Sequence, residues 1–204
     1  MIAMKKFGFK ALLAGAFLAC AFTQGAVAAE VSGVKFADTT KVAGKELQLN
    51  GLGIRYRAAI FKVYATGLYL QEKMSSPEEI YKSDAPRRVQ LVMMRDVTSD
   101  AFGDAFMSGI NNNANTAEKA KIVTQISKFG EMFALLEGLK KGDVLDLDWI
   151  PGTGTTCFLN GKRIGEITPG IEFHNAVLKI WLGDKPADSQ LKAKLLLAGK
   201  KPAA

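Results

Sequence analysis

The sequence predicts an α+β fold in which a large antiparallel sheet carries a helical layer on one face. Strand-like and helix-like stretches come in blocks, strands then helices then strands then helices, rather than in the strict alternation of a doubly wound parallel sheet. Asn160-Gly161 sits between two strand-like runs, and this pair supplies the two positive-φ residues that a type I′ hairpin turn needs. The middle of the chain carries two apolar stripes at helical spacing, which need a sheet to bury them.

In chain order, residues 1–29 read as a cleavable secretory signal rather than as part of the fold. Lys5, Lys6 and Lys10 precede the apolar run Ala11 to Phe22 and the small-residue stretch Gly25-Ala26-Val27-Ala28-Ala29, which is the order basic, apolar, cleavable. The apolar run is short of the ~20 residues that span a bilayer, so no transmembrane segment is expected to remain. Cleavage is expected after Ala28 or Ala29, leaving a periplasmic or secreted protein. Acylation at Cys20, as in a lipoprotein, is the alternative, and Phe17 and Leu18 before it fit that pattern poorly.

The remaining 30–198 read as one domain, with 199–204 as a loose tail. Strand-like pieces run over 31–36, 46–49 and 54–70, the last rich in aromatic and β-branched residues, and over 87–94. Ser76-Pro77-Glu78-Glu79 predicts a short helix, with Ser as N-cap, Pro in the first turn and acids against the positive helix end. Phe102, Ala105, Phe106, Gly109 and Ile110 line one stripe of a helix from Thr98 or Ser99 that Asn111 to Asn115 should break. Ile122, Ile126, Phe129, Phe133 and Leu136 line a second helix over 117–137, ended by Gly138. Strands return at 144–150, 155–159 and 163–167, the last two flanking Asn160-Gly161. Thr168-Pro169 starts a helix with Phe173, Ala176, Val177, Ile180 and Trp181 on one face, and a last helix covers 189–197.

Composition narrows the function classes. Removing residues 1–29 takes away three lysines and no acid, so the net charge falls from +7 to +4. With no basic stripe interleaved with aromatics, nothing proposes a nucleic-acid partner. Cys157 is then the single cysteine and His174 the single histidine, which exclude an internal disulfide and a Cys- or His-built metal centre. No P-loop, dinucleotide fingerprint, nucleophile elbow or HExxH motif is present, so no cofactor is expected. Cys157 has no cationic neighbour to activate it and reads as an inert, partly buried thiol. His174 reads as ordinary surface or interface structure rather than as a base.

Leu49-Asn50-Gly51-Leu52-Gly53-Ile54-Arg55 is more informative. The glycines let the backbone turn or approach a neighbour closely. In an unbroken strand Arg55, Arg57, Ala59, Phe61 and Val63 share a face, so arginine sits among apolar groups and needs a carboxylate, a carbonyl or an anionic ligand. The alternative is an edge arginine reaching solvent along its stem.

Gly51-Leu52-Gly53-Ile54-Arg55, Phe61-Lys62-Val63-Tyr64-Ala65-Thr66-Gly67-Leu68-Tyr69-Leu70, the Asn160-Gly161 hairpin and Ile180-Trp181-Leu182-Gly183-Asp184-Lys185-Pro186 together resemble the chalcone isomerase-like family, in particular its bacterial exported members. The resemblance implies an open-faced β-sandwich with a cleft between sheet and helices. In the plant enzymes an arginine stabilises the oxyanion formed as a chalcone closes to a flavanone, and Arg55 matches that arginine, making it the catalytic residue if the chain is an isomerase (an intramolecular lyase). The enzymes' threonine is Tyr64 here, and their helical tyrosine and asparagine are Phe102 and Gly109, with Asn111, Asn112 and Asn113 out of register. Other branches bind fatty acids in the cleft with an arginine and a tyrosine on the carboxylate. On that pattern Arg55 holds a small amphipathic or aromatic anion, Phe61, Phe102, Phe106 and Ile110 line the pocket, and Tyr64 adds a hydroxyl, although an even register puts Tyr64 opposite Arg55 unless a bulge intervenes. The expected function is therefore ligand binding without catalysis. The alternatives are an isomerase acting on an unsaturated carbonyl compound and a structural envelope protein that keeps Arg55 as an internal ion pair. No particular protein partner is indicated.

Overall fold

A computed structural model describes residues 28–196. The expected signal segment and Cys20 fall in 1–27, outside the described residues, as does the tail from 197. Ala28 and Ala29, at the expected cleavage site, open β1 (Ala28–Val31), which pairs with β2 (Val34–Ala37) around Ser32-Gly33. The expected single strand over 31–36 is thus a hairpin, because Ser32 and Gly33 both take positive φ.

Seven further strands form one antiparallel sheet in sequence order: β3 (Thr39–Val42), β4 (Lys45–Arg57), β5 (Phe61–Leu70), β6 (Arg87–Met93), β7 (Val144–Ile150), β8 (Gly154–Leu159) and β9 (Lys162–Thr168). The run over 54–70 is two of these strands, not one. Ala58 and Ala59 both adopt left-handed backbone (φ 49° and 61°) and turn the chain back. Nothing in Ala-Ala signals a turn, since left-handed backbone normally selects Gly, Asn or Asp. At Asn160-Gly161 the expected turn forms, with φ 52° and 77°.

The helices are α1 (Pro77–Lys82), α2 (Ser99–Asn113), α3 (Thr116–Lys121), α4 (Val123–Ala134), α5 (Ile171–Leu182) and α6 (Ser189–Leu195). Ser76 caps α1 and Thr98 caps α2, each accepting from a backbone N–H three residues on. Helix α2 ends at Asn113, within the asparagine run expected to break it. The expected helix over 117–137 is broken at Ile122. Asn115 and Glu118 form a capping box that fixes the start of α3, which buries none of its residues, whereas α4 buries Phe129, Met132 and Phe133. The two halves therefore sit at different depths.

Alternation along the strands sorts the sheet into two faces. The inner face packs Leu68, Leu91, Leu145, Leu147 and Cys157 against α2, α4 and α5. A second core, which the sequence reading did not foresee, lies on the outer face: Phe36 of the β1–β2 hairpin packs with Leu47, Leu49, Ile54, Ala65 and Tyr69. No described helix is long and apolar enough to cross a membrane.

Candidate functional site

Glycines 51 and 53 place the site. A Cβ on Gly51 would lie 2.4 Å from the Lys194 carbonyl oxygen, and one on Gly53 would lie 2.8 Å from a Leu191 methyl. Their role is close approach rather than a turn: they let α6 lie directly on β4. Buried Asn50 pins the same contact, donating to the carbonyls of Met74 and Leu195 and accepting from the Met74 N–H. Seated there, α6 directs its N-cap Asp188 at β4. One carboxylate oxygen accepts from the N–H groups of Gln190 and Leu191, and the other accepts from the Tyr56 N–H at 3.0 Å.

At that point the ladder is irregular. Arg57 pairs with Phe61 and Tyr56 with Lys62, but Arg55 pairs with Tyr64, so Val63 is the extra residue of a bulge. The bulge turns Tyr64 onto the face of Arg55 and makes the two direct cross-strand neighbours, with the guanidinium carbon 5.6 Å from the Tyr64 ring centroid. The Tyr64 hydroxyl accepts from Trp181 Nε1 at 2.9 Å. Its own proton is then free for another acceptor. Burial raises the Tyr64 pKa above its ordinary value, and the opposing pull of Arg55 and of the Trp181 bond does not cancel it. The phenol therefore stays protonated at neutral pH and acts as a donor.

Arg55 and Tyr64 open into a cavity of about 520 Å³ between the inner face and α2, α4 and α5, within the usual size range of small-ligand sites. Phe102 and Phe106 of α2 meet Phe133 and Phe129 of α4 at centroid separations of 4.6 and 4.8 Å and form an aromatic wall. Val63, Leu91, Met93 and Val177 continue the apolar lining, and Arg57, Arg95, Asp96 and Asp104 stand at its polar edge.

Half-buried Arg55 makes no ion pair among the described residues. None of its nitrogens lies within 4.0 Å of a carboxylate among the described residues, and its buried Nε has no hydrogen-bond partner. Two other arginines of the sheet are held differently. Fully buried Arg87 donates to the carbonyls of Ile80 and Ser83 and to Asn175 Oδ1. Arg88, on the outer face, grips Asp148 bidentately at 2.6 and 2.7 Å and lies 3.4 Å from Asp146.

Several sequence expectations are corrected. Phe61 does not line the cavity: the turn at 58–60 leaves it on the outside of the hairpin tip, 52% exposed. Ile110 is fully buried in the core rather than at the cavity wall. Asn113, already out of register with the enzymes' asparagine, holds a loop, bonding the Gly109 carbonyl and both the N–H and carbonyl of Lys185. A side chain on Gly109 would strike Ile180 at 2.8 Å, so α5 occupies the space where the enzyme pattern has an asparagine. His174 is not at the surface. It is 1% exposed, with Nδ1 3.1 Å from Thr155 Oγ1 and its ring 5.7 Å from that of Trp149. Burial, and secondarily Arg87, hold it well below the ordinary histidine range. Cys157 is fully rather than partly buried, and burial pushes its thiol pKa up, as an inert thiol requires. The sequence reading missed Arg95, Trp181, Phe129 and Phe133 at the cavity. The last two were legible as a helical stripe but not as a wall, and Arg95 had no pattern to mark it.

A family model described as chalcone isomerase-like matches residues 28–197. Among solved structures, a fatty-acid binding protein of Arabidopsis thaliana superposes with a TM-score of 0.64 at 16% sequence identity, covering 85% of this chain and 98% of that one. No curated protein sequence matches the chain.

Proposed function

The chain belongs to the chalcone isomerase-like family, and on that premise we propose that it is an exported, non-catalytic binder of a small amphipathic anion such as a fatty acid. The observation that carries this reading is Arg55: a guanidinium with no carboxylate partner among the described residues, at the head of a cavity walled by aromatic and aliphatic side chains. Arginine keeps its charge when desolvated, so the position creates a demand for an anion. A carboxylate at Arg55 would receive guanidinium donors in fork geometry and the free proton of Tyr64, while its hydrocarbon chain would lie against Phe102, Phe106, Phe129 and Phe133.

The structural likeness to a protein that binds fatty acids supports the ligand class. Phe102 and Gly109, at positions where the enzyme pattern has polar groups, speak against an isomerase reaction. Export rests on the basic, apolar and small-residue order of the first 29 residues. Native mass spectrometry of the protein purified from its exported fraction tests the proposal. The expected spectrum shows a chain lacking the first 28 or 29 residues, which takes up dodecanoate one-to-one after organic extraction. A full-length mass would overturn the export reading, and a protein that stays empty in excess dodecanoate would overturn the binding one.

A further inference from the structure

The β4–β5 hairpin tip ends in a surface that the cavity alone does not explain. Ile60 is 71% and Phe61 52% exposed, side by side in sequence at the end of the hairpin. Folding gains nothing from leaving two such side chains in water, and the turn beneath them is strained. Ala58 and Ala59 both hold left-handed backbone, which costs a non-glycine residue on the order of 1 kcal/mol. The hairpin turns at Ser32-Gly33, Ala43-Gly44 and Asn160-Gly161 each put a glycine in one of their two left-handed positions. At residues 58–61 it has instead kept an apolar tip at the expense of an easy turn.

Charge surrounds this tip. Exposed Arg57 and Lys62 flank it, and Arg57 also lines the cavity together with Arg55 and with exposed Arg95. Against these four cations the cavity edge holds two carboxylates, Asp96 and Asp104, and Asp96 is already engaged by the Lys141 N–H and by Lys140 at 3.9 Å. The tip is therefore a pair of large apolar side chains in a cationic collar, contiguous through Arg57 and Val63 with the open end of the cavity. Apolar groups that enter the headgroup boundary while adjacent Lys and Arg meet anionic headgroups are the recurring chemistry of reversible membrane attachment.

We propose that the Ile60-Phe61 tip docks the protein on an anionic lipid bilayer, with Ile60 and Phe61 inserted among the headgroups and Arg57, Lys62 and Arg95 on lipid phosphates. This places the cavity opening at the bilayer surface, where an amphipathic ligand would enter without crossing water. The docking itself depends on no ligand in the cavity, so it stands or falls separately from the function proposed above.

The test is co-sedimentation of the protein with vesicles of phosphatidylcholine, with and without phosphatidylglycerol. Binding is expected only to the anionic vesicles, and it should weaken as salt screens the collar. The double variant Ile60→Ser/Phe61→Ser should lose about tenfold or more in vesicle affinity, since each side chain removes apolar area from water when it inserts. Lys62→Glu, outside the cavity lining, should weaken binding to a similar or smaller degree while leaving the apolar tip intact. All variants should keep the wild-type melting temperature and dodecanoate uptake, because the changed residues are exposed and outside the cavity. Wild-type protein that ignores anionic vesicles, or a double variant that binds them as well as wild type does, overturns the proposal. So does a concentration-dependent dimer abolished by the double variant without vesicle binding, which would assign the tip to a second copy of the chain.

Discussion

On the outer face of the sheet Arg88 is bonded to both oxygens of Asp148, to Thr40 and, at 3.4 Å, to Asp146, while on the inner face Arg55 faces the cavity with no carboxylate of the described residues within 4.0 Å. Both are partly desolvated arginines on antiparallel strands of the same sheet. Burial alone would lower the Arg88 pKa, yet its two acids hold it above the ordinary value. This sheet thus contains a completed ion cluster and an uncompleted one, two strands apart. An arginine whose partner is built into the chain serves stability; one whose partner is missing is available to something that comes from outside.

Breaking the outer cluster should give the largest effect. Arg88→Met leaves Asp148, whose carboxyl is already pushed up by burial, beside Asp146 with no cation between them. Removing one partner of such a buried pair costs about 3–5 kcal/mol, and a urea melt should show a loss of that size with dodecanoate uptake as in wild type. A loss below about 1 kcal/mol would mean that the outer cluster behaves as an ordinary surface pair.

A smaller effect comes from the third polar position of the sheet, where Arg87 and His174 are buried together without any acid bonded to them. His174 is held well below its ordinary range by burial and by Arg87, so the native state refuses a proton that the unfolded chain accepts below about pH 6.5. Its contribution is therefore present above that pH and lost as pH falls, with a slope approaching ~1.4 kcal/mol per pH unit. Stability measured from pH 7.5 to 5 should decline with this slope for the wild type and decline less for His174→Phe. Equal slopes would show that His174 is reached by protons in the native state.

The smallest effect separates Tyr64 from Arg55 within the site. Tyr64→Phe removes one neutral donor and leaves the guanidinium, so dodecanoate affinity should fall by about 1 kcal/mol. A much larger loss would mean that the phenol, not the arginine, is the principal anion contact.

The sequence disclosed the parts of this arrangement that depend on local patterns. The stripe of Phe102 and Phe106, the Ser76 and Thr98 caps and the Asn160-Gly161 turn are each written in a few adjacent residues. The Gly51 and Gly53 pair announced a close approach without saying to what, because α6 lies more than a hundred residues away. What stayed hidden had no local signature. Ala58-Ala59 carries no turn chemistry, so the strand seemed to run on and Phe61 seemed to lie along the cavity wall. The bulge that brings Tyr64 beside Arg55 has no mark in the strand's own residues, and Asp188, which bonds the Tyr56 N–H next to it, arrives from the far end of the chain on α6. Arg88 and its acids escaped notice because neither Asp146 nor Asp148 is within fifty residues of it.

The central claim is that Arg55 is reserved for the anionic head of a ligand. The most direct measurement compares dodecanoate with dodecanol on wild type and Arg55→Met, by titration of the extracted protein with tryptophan fluorescence as readout, since Trp181 lines the cavity. Wild type should prefer the acid over the alcohol by about 2–5 kcal/mol; Arg55→Met should bind both alike and melt within about 1 kcal/mol of wild type, because no internal acid is orphaned. An Arg55→Met protein that keeps the preference for the acid, or a wild type that never had one, would contradict the account.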